Sequence, residues 1–157
     1  MAATYKGKRS PAGDALTNLF LDFLRVHSLI LTAGDRLIAE LGLTSARWQI
    51  LGAIVAAGRA QPVSWLARDM GANRQNVQRI INDLRKVGLV VFEANPHHRR
   101  AQLVRLTEDG RQTFDAAMRL QAPWINSLAE GLPVKDIQAM QRVLFALRQK
   151  LEGNDRA

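Results

Sequence analysis

A run of polar side chains between Asn73 and Val87 has the residue types and spacing needed to read bases. Polar residues occupy one face of a predicted helix: Arg74, Gln75, Gln78, Arg79 and Asn82. Apolar residues occupy the opposite face at helical spacing: Val77, Ile80, Ile81, Leu84 and Val87. Arginine can pair with guanine, and glutamine or asparagine with adenine, in the major groove. The pattern therefore predicts a helix that packs on one side and contacts nucleic acid on the other.

Local signals define the elements that hold this helix. Asn73 is a predicted N-cap, and Gly88 is predicted to end the helix after Val87. A shorter helix is predicted over 63–70 and is joined to the next one through Gly71 and Ala72. Two short helices across a tight glycine turn are typical of a helix-turn-helix. On the shorter helix, Ser64 and Arg68 are predicted to contact phosphates.

An extended pattern follows the predicted reading helix. Residues 89–92 and 103–106 are rich in Val, Leu and Phe, and the polar segment 94–100 lies between them. This pattern predicts a β-hairpin with a basic tip at Arg99 and Arg100.

These segments resemble the MarR family of winged helix-turn-helix regulators over nearly the whole chain. The resemblance rests on LTSARWQIL, KVGLV and NPHHRRAQLVRLTEDG. It implies a mainly α-helical fold with a small β-hairpin wing, a winged helix-turn-helix with long N- and C-terminal dimerisation helices. The family loop usually reads Asp-Pro-x-Asp-Arg-Arg, whereas this chain has Asn95 at the first position and His98 in place of the acidic partner of the wing arginine.

Long amphipathic segments flank the predicted head. Apolar residues recur at three-four spacing over 11–41, predicting one helix, and steps of three and four define a seam in the last helix: Ile137, Met140, Leu144, Leu147 and Leu151. We expect a flexible basic arm at 1–10, a discontinuous dimerisation platform from 11–43 and 108–152, and a DNA-binding lobe over 44–107. The seam could instead pack within one chain, but the dimer is favoured because a small head offers little apolar surface to these helices.

Charge is concentrated where contact with nucleic acid is predicted. Of the net charge of +8, residues 58–106 carry +6.

The chain has no cysteine, which excludes disulfides and thiolate chemistry. No apolar run approaching a membrane span and no signal-peptide pattern were identified, so a cytoplasmic protein without a membrane partner is expected.

The family resemblance implies a homodimeric repressor of a pseudo-palindromic duplex site, released by a small aromatic or phenolic acid or its thioester. The reading helix would enter the major groove, and Arg99 and Arg100 the adjacent minor groove. The predicted ligand cleft is lined by Phe20, Leu24, His27, Arg47, Trp48, Phe114 and Met118. The aromatic and aliphatic members could equally be core residues.

Other functional classes have weaker support in the sequence. There is no glycine-rich phosphate loop or nucleophile elbow, so no enzyme activity, catalytic residue or cofactor is expected. No metal site is expected either, and a metal sensor that uses His27 with carboxylates is a weaker alternative. His97 and His98 are adjacent and point apart on an extended loop, unlike metal-ligating pairs. The alternative is an architectural nucleic-acid-binding protein without sequence preference.

Overall fold

Six helices and three short strands form the part of the chain described by the structure, a computed structural model covering residues 9–98 and 100–154. In chain order they are α1 (Pro11–Leu37), α2 (Ser45–Ala56), β1 (Gln61–Pro62), α3 (Val63–Asp69), α4 (Arg74–Lys86), β2 (Val90–Glu93), β3 (Leu103–Leu106), α5 (Glu108–Ala129) and α6 (Val134–Asn154). The predicted winged helix-turn-helix architecture is confirmed. Arg99 and most of the predicted basic arm lie outside the described residues.

The first long helix is shorter than predicted. Ser10 caps α1 by accepting a hydrogen bond from the Gly13 backbone N–H at 3.1 Å. Ile38 has non-helical dihedral angles and is fully buried, so the α-helix ends at Leu37. A 3₁₀ turn, Ala39–Leu41, follows and ends at Gly42, which adopts φ +66°. The prediction of one continuous helix to residue 41 is therefore wrong.

Much of the apolar surface of α1 is exposed to solvent. Its exposed apolar side chains include Phe20, Leu21, Phe23, Leu24, Val26, Leu29 and Ile30. Pro11–Leu41 is long and apolar enough to cross a membrane, and it is the one such helical segment within the described residues. By length and composition, the expectation that the chain has no apolar segment of this kind is therefore wrong. An exposed ion pair between Asp22 and Arg25, at 3.5 Å, lies within the segment. Charged side chains within a membrane-spanning segment are costly in lipid.

The hydrophobic core lies between α2, α3, α4 and the sheet. Its largest fully buried side chains include Ile50, Leu51, Leu66, Ile81, Leu84, Val90 and Val104. Ser45 joins α1 to this core, because its backbone N–H donates to Asp35 Oδ1 at 2.5 Å and its hydroxyl donates to the Leu31 carbonyl at 2.8 Å. The end of α1 is thereby fixed to the start of α2.

The sheet has three antiparallel strands in the order β1-β3-β2. Val90 pairs with Leu106, and Glu93 with Leu103, so β2 and β3 form the predicted hairpin. Strand β1 was not predicted; it pairs Gln61 with Val104 on the other edge of β3. The wing is therefore attached to the segment that leads directly into α3.

The chain divides into two compact units, residues 1–120 and 121–157. In the first unit, the Thr107 hydroxyl accepts from the Gly110 backbone N–H at 2.9 Å and caps the start of α5. In the second unit, α6 carries exposed apolar side chains, including the predicted seam residues Ile137, Met140, Leu144 and Leu151.

Candidate nucleic-acid interface

Helix α4 presents one buried and one exposed face. Asn73 caps it as predicted, because its side-chain oxygen accepts from the backbone N–H groups of Gln75 at 2.9 Å and Asn76 at 3.2 Å. The inner face consists of Val77, Ile80, Ile81 and Leu84, all buried. Val87 was predicted on this face but is 56% exposed. It follows the last helical residue and precedes Gly88 at φ +78°, where the chain turns out of the helix.

The outer face of α4 carries the predicted base-reading residues in ordered positions. Arg74, Gln75, Arg79 and Asn82 are exposed, and Gln78 is half-buried. Gln78 donates from Nε2 to Asn82 Oδ1 at 3.1 Å. Arg79 donates to Asn76 Oδ1 at 2.9 Å and lies 3.8 Å from Asp83. A guanidinium has five N–H donors, so the bond to Asn76 leaves donors for a base contact by Arg79.

A basic groove of about 190 Å³ lies between α3, α4 and the wing. Its lining brings together the predicted contact residues Ser64, Arg74, Gln78, Asn82 and Arg100. Arg85 lines it as well, and its guanidinium lies 5.5 Å from the centre of the Phe92 ring on β2. Arg85 was missed as a contact residue, although it is seven positions after Gln78 and therefore on the same helix face. Three guanidinium groups in one groove suit a phosphate backbone.

Hydrogen bonds within the wing hold its loop in shape. Asn95 donates from Nδ2 to the Ala101 carbonyl at 2.9 Å and accepts from the His97 backbone N–H at 3.0 Å. The His98 carbonyl accepts from the Ala101 N–H at 3.1 Å, while the His98 side chain is exposed. At the base of the wing, Arg105 donates from Nε to Glu93 Oε1 at 2.6 Å. Asn95 therefore braces the backbone of the wing loop.

An exposed tryptophan lies on α3 beside two arginines. Arg59 and Arg68 lie 5.6 and 5.7 Å from the centre of the Trp65 ring, within cation–π distance. Arg68 also pairs with Asp69 at 3.4 Å. Ser64 is half-buried, and Arg68 is exposed. Sequence inspection identified Ser64 and Arg68 but missed Arg59 and Trp65, whose association depends on the loop after α2.

The residues of the predicted ligand cleft are in mixed environments. Trp48 and Phe114 pack against the hydrophobic core, whereas Phe20, Leu24 and Met118 are exposed. His27 stacks on Phe23 with ring centres 6.2 Å apart, and Arg47 donates to the Gly42 carbonyl at 3.4 Å. Their joint role in binding a ligand stays a prediction. Within residues 9–98 and 100–154, no group of three or more histidine and carboxylate side chains is placed to hold a metal ion.

The sequence has relatives along most of its length. The sequence model of the MarR family matches residues 41–101. The uncharacterized protein Rv2011c of Mycobacterium tuberculosis is 35% identical over 139 residues, which cover 86% of this chain and 96% of that protein. The transcriptional activatory protein BadR of Rhodopseudomonas palustris is 31% identical over 106 residues, covering 65% of this chain and 59% of BadR.

Solved structures share the fold. A MarR-family transcriptional regulator of Rhodococcus sp. RHA1 superposes with a TM-score of 0.73 at 21% identity, covering 89% of this chain and 96% of that one. The transcriptional repressor CouR bound to a 23-mer DNA duplex gives a TM-score of 0.75 at 22% identity, with coverages of 90% and 99%. CouR of Rhodococcus jostii RHA1 bound to p-coumaroyl-CoA gives 0.71 at 25% identity, with coverages of 81% and 90%.

Proposed function

Because the chain belongs to the MarR family, we propose that this DNA-binding regulator acts as a homodimeric repressor whose affinity for its operator is lowered by a small effector. The observation that carries the proposal is the outer face of α4, where base-reading side chains border a groove containing three arginines. Its site of action is the cytoplasm.

The DNA contacts are assigned by position on these elements. Arg74, Gln75, Gln78, Arg79 and Asn82 read bases in the major groove from α4. Ser64 and Arg68 contact phosphates, while Arg99 and Arg100 reach the adjacent minor groove; Arg85 joins the phosphate contacts because it lines the same groove as Arg100. Support comes from the similar fold of CouR, which was solved on a DNA duplex.

The dimer is supported by apolar surface that the described residues of either unit leave exposed. Exposed Phe20, Leu24 and Ile30 on α1 form part of one such surface, and Met140 and Leu144 on α6 part of another. A second copy offers the same surfaces by twofold symmetry. The platform from 11–43 and 108–152 and the lobe from 44–107 are thus proposed as the two functional parts. Two reading helices related by a twofold axis require half-sites about one helical turn apart.

The proposed effector is a small aromatic or phenolic acid, or its thioester. The proposal is supported by the CouR structure with p-coumaroyl-CoA and by the aromatic residues Trp48 and Phe114, which pack against the hydrophobic core. The predicted cleft of Phe20, Leu24, His27, Arg47, Trp48, Phe114 and Met118 is the proposed place of binding.

Selection of genomic fragments tests the central claim. The purified full chain is mixed with sheared DNA from the source genome at near-physiological salt, and bound fragments are sequenced. We expect a short palindrome beside a few genes. Recovery of fragments without a shared motif would contradict an operator-binding regulator and favour the architectural alternative, whose binding depends on salt more than on sequence.

A further inference from the structure

An exposed tryptophan on α3 holds two guanidinium groups outside the basic groove. The Trp65 side chain is 42% exposed. Arg59, from the loop after α2, and Arg68, three residues further along α3, lie 5.6 and 5.7 Å from the centre of its ring. We refer to Arg59, Trp65 and Arg68 as the Trp65 cluster. Because the electrons of an aromatic ring attract a cation, both guanidinium groups are favoured in one orientation.

This way of holding an arginine leaves its charge available to an anion. An aromatic ring does not neutralise the guanidinium or occupy its N–H donors as a carboxylate does. Arg105, by contrast, is held by a carboxylate through its 2.6 Å hydrogen bond to Glu93. Among the described residues, Arg59 forms no ion pair. Arg68 uses only Nε and one terminal nitrogen to contact Asp69, at 3.4 Å, so donors remain there as well.

The Trp65 cluster adjoins the basic groove. Ser64, the residue before the tryptophan, lines that groove together with Arg74. Arg68 is one helical turn after Ser64 and therefore lies on the same side of α3. Arg59 extends the positive surface to the loop after α2. A duplex carries one negative charge for about every 1.7 Å of its axis, so a backbone that leaves the groove still offers phosphates to charges beside it.

We propose that the Trp65 cluster is a phosphate clamp that extends the DNA interface beyond the basic groove. Arg59 and Arg68 donate hydrogen bonds to phosphate oxygens, and Trp65 is a positioning residue that holds both guanidinium groups. A guanidinium matches the geometry of a phosphate and can donate two parallel hydrogen bonds to it. The clamp rests on the proposed DNA-binding function and adds Arg59 and Trp65 to its contacts.

The salt dependence of DNA binding tests the two arginines. The affinity of the full chain for a labelled duplex of random sequence is measured by fluorescence anisotropy over a range of salt concentrations. Each phosphate contact contributes about 0.9 to the slope of log affinity against log salt concentration. Arg59→Gln and Arg68→Gln should each lower that slope by about 0.9 per bound copy, which corresponds to about fivefold to tenfold weaker binding at about 0.1 M salt.

Arg142→Gln is the matched control, because it removes the same charge from an exposed position of α6 and should leave the slope unchanged. A slope that Arg59→Gln leaves unchanged would overturn the clamp. Poly-glutamate serves as a second polyanion. If Arg59→Gln weakened binding to poly-glutamate but not to the duplex, the Trp65 cluster would be assigned to an acidic protein partner instead.

Substitutions of the tryptophan test its positioning role. Trp65→Ala should lower the salt slope although no charge is removed, whereas Trp65→Phe, which keeps an aromatic ring, should retain most of it. In a chain that already carries Arg59→Gln and Arg68→Gln, Trp65→Ala should have no further effect on DNA affinity. An equal loss of affinity in both backgrounds would overturn the positioning role. Thermal unfolding of each variant separates a loss of stability from a loss of contact.

The clamp and the operator-binding function fail separately, because the random-sequence duplex requires no operator. If genomic selection recovers a palindrome but Arg59→Gln leaves the salt slope unchanged, the regulator stands and the clamp falls. If Arg59→Gln lowers the slope but no motif is recovered, the clamp stands and the architectural alternative is favoured. No binding to any duplex would overturn both.

Discussion

Gly110, in the first turn of α5, lies directly against the backbone carbonyl of Leu89, at the turn between α4 and β2. The Thr107 backbone N–H donates to the same carbonyl at 3.1 Å, and the Thr107 hydroxyl donates to the Gly88 carbonyl at 2.7 Å. The start of α5 is thus packed onto the end of the reading helix and the start of the wing without an intervening side chain.

Gly110→Ala should destabilise the lobe by about 1–3 kcal/mol, because the new Cβ overlaps the Leu89 carbonyl oxygen and the backbone must separate. Urea unfolding at fixed protein concentration measures this change. Gly52→Ala is the matched control: it lies inside α2, its Cβ meets only Phe114 at 3.6 Å, and it should gain about 0.5–1 kcal/mol. Equal changes in the free energy of unfolding of the two variants would contradict the close contact between Gly110 and the Leu89 carbonyl.

Asn95→Asp should loosen the wing, although Asp is the residue usually found there in the family. The carboxylate keeps the acceptor for the His97 N–H but loses the donor to the Ala101 carbonyl. A lost hydrogen bond of this kind should speed trypsin cleavage after Arg99 or Arg100 about two- to tenfold. Gln102→Glu, which adds the same charge to a nearby exposed position, should leave the cleavage rate unchanged. An unchanged rate in Asn95→Asp would show that this bond does not brace the loop.

Arg79→Ala should flatten the sequence preference of DNA binding, because a bidentate arginine–guanine contact gives about 1–3 kcal/mol of discrimination. The measurement compares affinities for the selected palindrome and for single-base variants of each half-site. Arg25→Ala removes the same side chain from α1, where it pairs with Asp22, and should change neither affinity nor preference. Uniform weakening on all sequences by Arg79→Ala would instead identify a phosphate contact.

Leu24→Lys should raise the dissociation constant of the dimer by at least about tenfold, because a buried leucine contributes about 1.5–3 kcal/mol at an interface. Leu24 is 61% exposed within the single chain, so the folded monomer should be little affected. Sedimentation equilibrium measures the constant. Asn18→Lys adds the same charge to an exposed polar position of α1 and serves as the control. Unchanged association in Leu24→Lys would exclude this part of α1 from the dimer contact.

Local signals predicted most element boundaries. Asn73 caps α4 as predicted, through hydrogen bonds to the first turn. Thr44 and Thr107 cap α2 and α5 in the same way. Capping depends on neighbours in the sequence, so it is visible there. Strand β1 was missed because its two residues, Gln61 and Pro62, become a strand only through pairing with β3, a distant segment.

The part of the candidate site that lies on one helix could be predicted from the sequence. The part that forms where distant segments meet could not. The polar face of α4 follows from helical periodicity. The groove containing Arg85 and Arg100 brings together side chains from several elements. Val87 was assigned to the buried face of α4 because the apolar periodicity continues up to Gly88. The helix ends at Lys86, one residue before Val87.

Because the exposed apolar side of α1 is the proposed dimer contact, operator occupancy would depend on the concentration of the protein in the cell. Under the proposed dimer, pairing and operator occupancy are linked by mass action. At concentrations well below the dimer dissociation constant, the amount of dimer rises with the square of the amount of chain, so occupancy would respond to the level of the protein as a threshold. A cell could then relieve repression by diluting the regulator during growth, without any change in the affinity of each half-site.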